Sequence, residues 1–588
     1  MDKCKLTSIA PQVKKGGPIF ESGLFGVNAE ITRKGFFGGL SAQMLNNRKL
    51  YMGNDGVDGW ECINFQRVVD RSEESLCGSN FIILKDGGSM SQTSSVIALK
   101  SGEEYEVKVW VKAITARVDV TFGVKGSEHT VTVSADGEKY RELSFSFTGE
   151  DINKGTFLVK VIGEVAVFEA SLMPTDHYYG MRRDVIEQLR YISPASIRFP
   201  GGCAADHFDW KESLKAPEFR KPMDGRSKNF LFRDTYNQDP LDIGLNEFIM
   251  LCRELNAEPE FTVSLVLSDG EEARKLVEYC NGDANTEYGR IRQSLGFDAF
   301  HIHLWYVGNE AYFFGGEYKD SRKAAARTDE LIIAMKQADP SIAVVIGLTW
   351  GTNYQTWAFD FMKSLKSKYE YVSYHDYIGI LPDATQGDNG MATVEIIEDN
   401  FKDGTCFGLN FYRDKLFADD FYNMRICVDE WNYSWGKDSS NALFFSNALQ
   451  FHFLAKSKET YHIDRAEFFM PVNEGMITVK GSVCKIESTG EMFRLMAEHK
   501  EGRVIECETD SEALDILCTD HGEYLYISVV NRSGVSCELN MDGYAITECV
   551  EIKTGDYSFE SNDFEVIKTE KPVLYGHSLI FIKAFPTD

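Results

Sequence analysis

The chain has 588 residues, 43% of them apolar and 26% charged, and its 62 basic against 90 acidic side chains leave a net charge of -28. That apolar fraction excludes a disordered chain, and at roughly 150 residues per domain the length accommodates three or four domains with cores of their own. The negative charge repels phosphate backbones and anionic membrane surfaces, so the sequence predicts no nucleic-acid or membrane partner and favours a neutral substrate.

No run of about 18 apolar residues occurs, which excludes a transmembrane helix. The opening segment MDKCKLTSIAPQV carries Asp2, Lys3 and Lys5 and lacks an apolar stretch of about 7 residues, so it does not read as a secretory signal. Thirteen cysteines, an odd number with no C-x-x-C pair, include Cys252, Cys280 and Cys427 inside apolar runs. Such usage predicts buried free thiols and a cytoplasmic location.

In chain order, LFGVNAEI (24–31) is the first candidate strand. The segment 58–173 then shows alternating strands with turn punctuation, such as EYEVKVWVKA and RVDVTFGVKG, and reads as an inserted β-sandwich. From about Ser193 to Pro471, apolar runs alternate with helix-period segments: ASIRF (195–199), EFTVSLVL (260–267), HLWYVG (303–308), AVVIGL (343–348), YVSYH (371–375), MRICVD (424–429) and AEFFM (466–470). Val185, Ile186, Leu189 and Ile192 form one helical stripe, and Leu245, Phe248, Ile249, Cys252 and Leu255 another.

Eight strands with interleaved helices match the count of a (β/α)8 TIM barrel. After about Lys480 the pattern returns to all-β. The sequence therefore predicts an α/β chain in five parts: 1–20, a terminal segment joining the C-terminal sandwich; 21–57, the first barrel strand and loop; 58–173, the inserted sandwich, like a carbohydrate-binding module; 174–479, the rest of the barrel; and 480–588, a C-terminal β-sandwich.

Barrel active sites form at the carboxyl ends of the strands, so the residues that end each apolar run are the ones to inspect. Glu310 follows the fourth strand and Glu430 the seventh, near-opposite across the mouth. A single strand-end glutamate reads as a helix cap or an arginine's partner; the pair on strands four and seven points to chemistry. Trp305, Tyr306, Tyr312 and Phe313 flank the first glutamate, and Trp431, Tyr433 and Trp435 the second. Such surroundings raise a carboxyl's pKa and offer ring faces for a sugar, both of which glycoside hydrolysis uses.

LWYVGNE and VDEWNYSW resemble the acid/base and nucleophile segments of glycoside hydrolase family 51, the α-L-arabinofuranosidases, a retaining barrel family. LFGVNAEITRKGFFGGLSAQMLNNRKL, ASIRFPGGCAADHFDWKESL, DIGLNEFIMLCRELNAEP, KLVEYCNG and SYHDY are similar to further family segments and fall in family order. The resemblance implies Glu310 as general acid/base and Glu430 as nucleophile. It also implies Asn309 on the sugar 2-hydroxyl, Arg198 steadying Glu430, His375 and Tyr377 lining the pocket, and Glu30 on sugar hydroxyls. An arginine beside a carboxylate keeps it ionised, as a nucleophile must be, while an acid must hold its proton.

The implied activity is release of terminal arabinofuranosyl residues from an arabinose-containing oligosaccharide by double displacement, with no metal and no other cofactor. A xylosidase, an endoglucanase, another pentofuranosidase and a non-catalytic carbohydrate-binding protein are the rival readings, and homo-oligomer formation stays open. Departures from the family pattern are VSLVLSDG at the third strand, Gln43 where a glutamate is usual, Cys203 after R-F-P-G-G, and FFMPVNEGMITVKG after the eighth strand.

Other motifs read as structural. His301 and His303 open a strand at the end away from the mouth; Gly201-Gly202 and Gly315-Gly316 are tight turns without a phosphate-loop arrangement. Asp206 and His207 form a solvated loop pair rather than a proton relay, and Trp110 packs in the insert rather than binding sugar.

Overall fold

The computed structural model describes residues 5–31, 35–52, 56–68, 75–78, 80–137, 140–224, 238–314, 316–348, 355–378, 409–416, 424–434, 438–555 and 558–587. At its centre eight parallel strands close into a barrel. They are β1 (Gly26–Asn28), β2 (Ser196–Phe199), β3 (Glu258–Val263), β4 (Leu304–Val307), β5 (Ala343–Gly347), β6 (Tyr371–Tyr377), β7 (Ile426–Asn432) and β8 (Ile463–Phe469). Each expected run supplies one strand, and β8 pairs back onto β1.

The helices form where the sequence puts an apolar stripe. Helix Arg183–Ile192 buries Val185, Ile186, Leu189 and Ile192 and ends on a left-handed Ser193. Helix Leu245–Leu255 buries its own stripe, and Glu247 accepts the Gly244 N–H at 2.8 Å to satisfy its first turn. Phe248 of that helix stacks on Phe199 of β2, ring centroids 4.6 Å apart, which locks the helical layer to the strand that carries Arg198.

Between β1 and β2, eight strands from Glu61 to Pro174 form one continuous sheet rather than two separate ones. The sheet folds over, so that Val107, Val109 and Val111 share a core with Val118, Val120, Phe122 and Phe157. Trp110 is only 4% exposed and packs with Phe81, Ala166 and Phe168 on the other face, which leaves it no free ring surface for sugar. The insert is stitched to the barrel by buried charges. Arg48 binds Glu169 of the insert and Asp242 before helix Leu245–Leu255, while Lys49 donates to the carbonyls of Pro217, Arg220 and Pro240.

The chain's first strand, Lys5–Ile19, runs antiparallel beside Arg503–Thr509 and parallel beside Cys537–Asn540, inside a nine-stranded C-terminal sheet. That sheet starts later than the change of pattern near Lys480 suggests. A hairpin (Ile477–Lys480 with Val483–Ile486) and helix Ser488–Met496 come first, and Met492, Phe493, Leu495 and Met496 belong to the barrel's core. The helix has two and a half turns, too few to show a sustained stripe beside its β-branched neighbours. Helix Asn441–Lys456, buried along nearly its whole length, fills the space between barrel and sheet.

Phe199 is 1% exposed and its ring meets Phe248, Phe208, Phe36 and Phe261. Phe199→Ala should lower unfolding stability by about 3–5 kcal/mol, read as a fall in the urea midpoint; a shift equivalent to less than about 1 kcal/mol would contradict this packing.

Candidate active site

The carboxyl ends of the strands converge on one cluster. Arg198 of β2, 1% exposed, donates to Asn309 Oδ1 at 2.8 Å and to Glu430 Oε1 at 3.3 Å. Tyr377, the last residue of β6, donates its hydroxyl to Glu430 Oε2 at 2.7 Å. His375 of β6 has Nδ1 2.8 Å from Glu310 Oε1 and 3.4 Å from Glu430 Oε2. Six of the seven residues singled out in the sequence are thus linked to one another directly.

The seventh, Glu30, stands at the end of β1 with one oxygen accepting the Ala204 N–H at 3.0 Å. A side chain at Gly202 would strike the Glu30 carboxylate at 2.3 Å, and Gly202 has φ +41°, so glycine is required there. The R-F-P-G-G turn exists to let β1 and β2 approach this closely.

The site includes residues the sequence reading passed over. In a regular strand Asp429 and Glu430 face opposite sides. Here Ser373 pairs with Cys427 but His375 pairs with Glu430, so β7 carries one residue more than β6 across the same interval. That bulge brings both carboxylates to the interior side. Asp429, fully buried, lies 3.2 Å from Arg198 Nη1 and 3.6 Å from His375 Nε2, and accepts the Ser373 hydroxyl at 2.6 Å. The only available signal was its place beside Glu430 in VDEW. Cys203 Sγ lies 3.7 Å from both Glu310 Oε2 and Asn309 Nδ2.

Burial pushes the Glu430 carboxyl up to about 7, with the His375 imidazolium opposing the rise, Glu310 adding to it and Arg198 opposing it less than His375. The sequence reading expected Arg198 to keep Glu430 ionised; the structure divides that guanidinium among Asp429, Glu430 and Asn309, and burial prevails. His375 is buried, which works against its charge, yet Glu430 and Asp429 hold its imidazolium well above the usual histidine range. Asp429 is likewise buried, and Arg198 and His375 keep it below the usual carboxylate range.

Four of the aromatic residues near the two glutamates, Trp305, Tyr306, Trp431 and Tyr433, are buried and offer no ring face to a sugar. Trp305 is fully buried and donates its indole N–H to Ile302 O; Trp431 is fully buried against Phe451 and Phe468. Tyr306 lies below the site, its ring 4.6 Å from the Arg198 guanidinium and its hydroxyl on Glu260. Strand alternation sends these rings into the helical layer or the barrel interior. Tyr433 is buried against Phe559, while Trp435 and Gly315 lie outside the described residues.

Gln43 is tied to the insert through Ser171 and Leu172 rather than to the site. Asp206 is buried, not solvated as the sequence reading had it. His301 and His303 are exposed at the opposite end of β4. One ligand atom each from Glu310, His375 and Glu430 lie within 4.8 Å of one another, so this trio is where a cation would bind if one did. Its histidine is held in the charged form by the surrounding carboxylates, which opposes coordination.

Comparison with known proteins gives a consistent picture. A family model described as the alpha-L-arabinofuranosidase 1 domain matches residues 188–380. A protein named alpha-L-arabinofuranosidase 2 from Arabidopsis thaliana is 26% identical over 382 residues, 56% of this chain and 54% of its own. One named intracellular exo-alpha-(1->5)-L-arabinofuranosidase from Acetivibrio thermocellus is 27% identical over 286 residues, 46% of this chain and 52% of its own. The chain spans about half the length of the curated relatives it matches. Among solved structures, the arabinose-bound α-L-arabinofuranosidase MgGH51 aligns with a TM-score of 0.75 at 15% identity, covering 99% of this chain and all of that one, which shows a common fold.

The electrostatics can be read spectroscopically. The Glu430 carboxyl should titrate near pH 7 in the free protein, followed by its infrared carboxylate band against a Glu430→Gln difference spectrum. Removing the opposing cation in His375→Gln should move that midpoint up, and Glu310→Gln should move it down. Unchanged midpoints in both variants would show that these groups do not govern it.

Proposed function

We propose that the chain is a member of glycoside hydrolase family 51 and a retaining exo-α-L-arabinofuranosidase acting on arabinose-containing oligosaccharides, a reading supported by the matching alpha-L-arabinofuranosidase 1 domain over residues 188–380, the arabinofuranosidase relatives and the shared fold. The observation that carries the mechanism is the approach of Glu310 and Glu430, which bring one carboxylate oxygen each within 4.8 Å. Retaining enzymes need about 5–5.5 Å between the two carboxyls, whereas inverting ones leave about 6.5–9.5 Å for a water molecule.

In the first step a Glu430 oxygen bonds to the anomeric carbon while the glycosidic C–O bond breaks and Glu310 gives its proton to the leaving oxygen. In the second, water attacks the same carbon, Glu310 takes the water's proton, and the Glu430 ester bond breaks. Tyr377 and Arg198, each bonded to a different Glu430 oxygen, aim the nucleophile. Arg198 is a donor only, so the Asn309 amide oxygen faces it, and the Asn309 NH2, 3.7 Å from Cys203 Sγ, is the group that would donate to the sugar's 2-hydroxyl. Glu30 supplies an acceptor for hydroxyls from the β1 side. No step needs a metal or organic cofactor.

We place the protein in the cytoplasm because every described cysteine is a free thiol and seven of these eleven are buried. Among the described residues no helix is long and apolar enough to cross a membrane.

On a panel of nitrophenyl glycosides the α-L-arabinofuranoside should be the preferred substrate, with the anomeric configuration retained in the first-formed product by NMR. Glu430→Ala should abolish turnover, and Glu310→Ala should lower kcat/KM on substrates with poor leaving groups by about 10²–10⁴-fold while sparing kcat/KM on activated ones, whose kcat falls because the second step has lost its base. Preference for a xyloside or an endo-cleaved glucan would move the assignment within the clan. An inverted product, or equal negligible turnover by wild type and Glu430→Ala, would overturn it.

A further inference from the structure

Asp206 lies in the short helical turn Cys203–His207 that follows β2. It is fully buried, and its carboxylate is met by backbone N–H groups: Leu265 N donates to Oδ1 at 2.6 Å, Asn309 N to Oδ2 at 3.4 Å, and Val266 N also points at it. The Asp206 carbonyl in turn accepts the Ser264 hydroxyl at 2.9 Å. One residue of the β2 loop is therefore closed against the chain leaving β3 and the chain leaving β4.

The second of those is under strain. Gly308 has φ +70° and Glu310 φ +44°, so left-handed residues stand on both sides of Asn309. A glutamate does not hold that conformation unaided, and its neighbours must fix the turn. Arg198 holds the Asn309 side chain, and Asp206 holds its backbone.

We propose that Asp206 is a positioning residue for the acid/base, a buried carboxylate that ties the Asn309 peptide to the end of β3 and so sets the direction in which Glu310 reaches toward Glu430. The inference rests on the assignment of Glu310 given above. The Leu265 contact is a short hydrogen bond to a carboxylate and the Asn309 contact a longer one, and small displacements of a catalytic group are costly to rate, so a tether one residue from Glu310 acts on its placement.

Asp206→Asn separates the two links. Its amide oxygen still accepts from Leu265, but its NH2 confronts the Asn309 N–H, donor against donor. The folded variant should keep its circular dichroism, with its thermal midpoint lowered by no more than a few degrees. Its kcat/KM on alkyl arabinofuranosides should fall by about 10–100-fold, and on the 4-nitrophenyl glycoside by less than about threefold, because the latter needs little protonation. On a Glu310→Ala background the same substitution should cost nothing further on the alkyl substrate.

Equal losses on both substrates, or losses that multiply in the double variant, would overturn the proposal. Should Asp206→Asn not fold, Asp206→Ser is read in the same way, and failure of both to fold would assign Asp206 to stability alone. Wild-type protein inactive on every glycoside would instead defeat the functional reading; wild type active and Asp206→Asn indistinguishable from it would defeat only this inference.

Discussion

Arg198, His375, Asp429 and Glu430 share one buried volume at the barrel's mouth with Glu310 half-buried at its edge, and the rest of the site follows from their need to be paired. Removing a charge from water without a partner costs several kcal/mol, so each group constrains the others' positions. Arg198 reaches Asp429 at 3.2 Å, Glu430 at 3.3 Å and Asn309 at 2.8 Å; His375 reaches Glu310, Glu430 and Asp429. Two cations each bridging several acceptors leave little freedom in any of the side chains, which is the preorganisation that catalysis requires.

That pairing depends on the backbone. Without the extra residue in β7, Asp429 would point into the helical layer and the cluster would lose the carboxylate that holds both Arg198 and His375. The closed barrel supplies the other condition, since it brings residues from β2, β4, β6 and β7 to one end. The outer modules steady the scaffold. The insert is fixed through Arg48, Glu169 and Asp242, close to the helix that packs on Phe199, and the C-terminal sheet is braced by helix Asn441–Lys456.

The fold was largely legible because its signals are local. Each barrel strand is a short apolar run, and the stripes at Val185–Ile192 and Leu245–Leu255 are those their helices bury. Glu310 and Glu430 were legible because strand ends can be counted. What escaped depends on contacts that sequence does not display. Asp429 became visible only with a bulge, which has no residue signature here. Trp305 and Trp431 suggested ring platforms, but whether an aromatic faces the pocket or the core turns on strand phase at single-residue resolution. Helix Ser488–Met496 was too short to announce itself, and the standing of Glu430 depends on how far burial outweighs a neighbouring guanidinium.

His375 explains how one set of charges can serve both halves of the proposed double displacement. Before reaction the anion to be stabilised is Glu430. Once Glu430 has become an ester it carries no charge, and the negative charge lies on Glu310, which has given up its proton. The Nδ1 of His375 stands 2.8 Å from Glu310 and 3.4 Å from Glu430, so the imidazolium meets either carboxylate without moving. Asp429, 3.6 Å from Nε2, stays ionised throughout and keeps that imidazolium charged. Because the stabilising cation does not reorganise as charge passes between the two glutamates, the site incurs no reorganisation cost at the step where the glycosidic bond breaks.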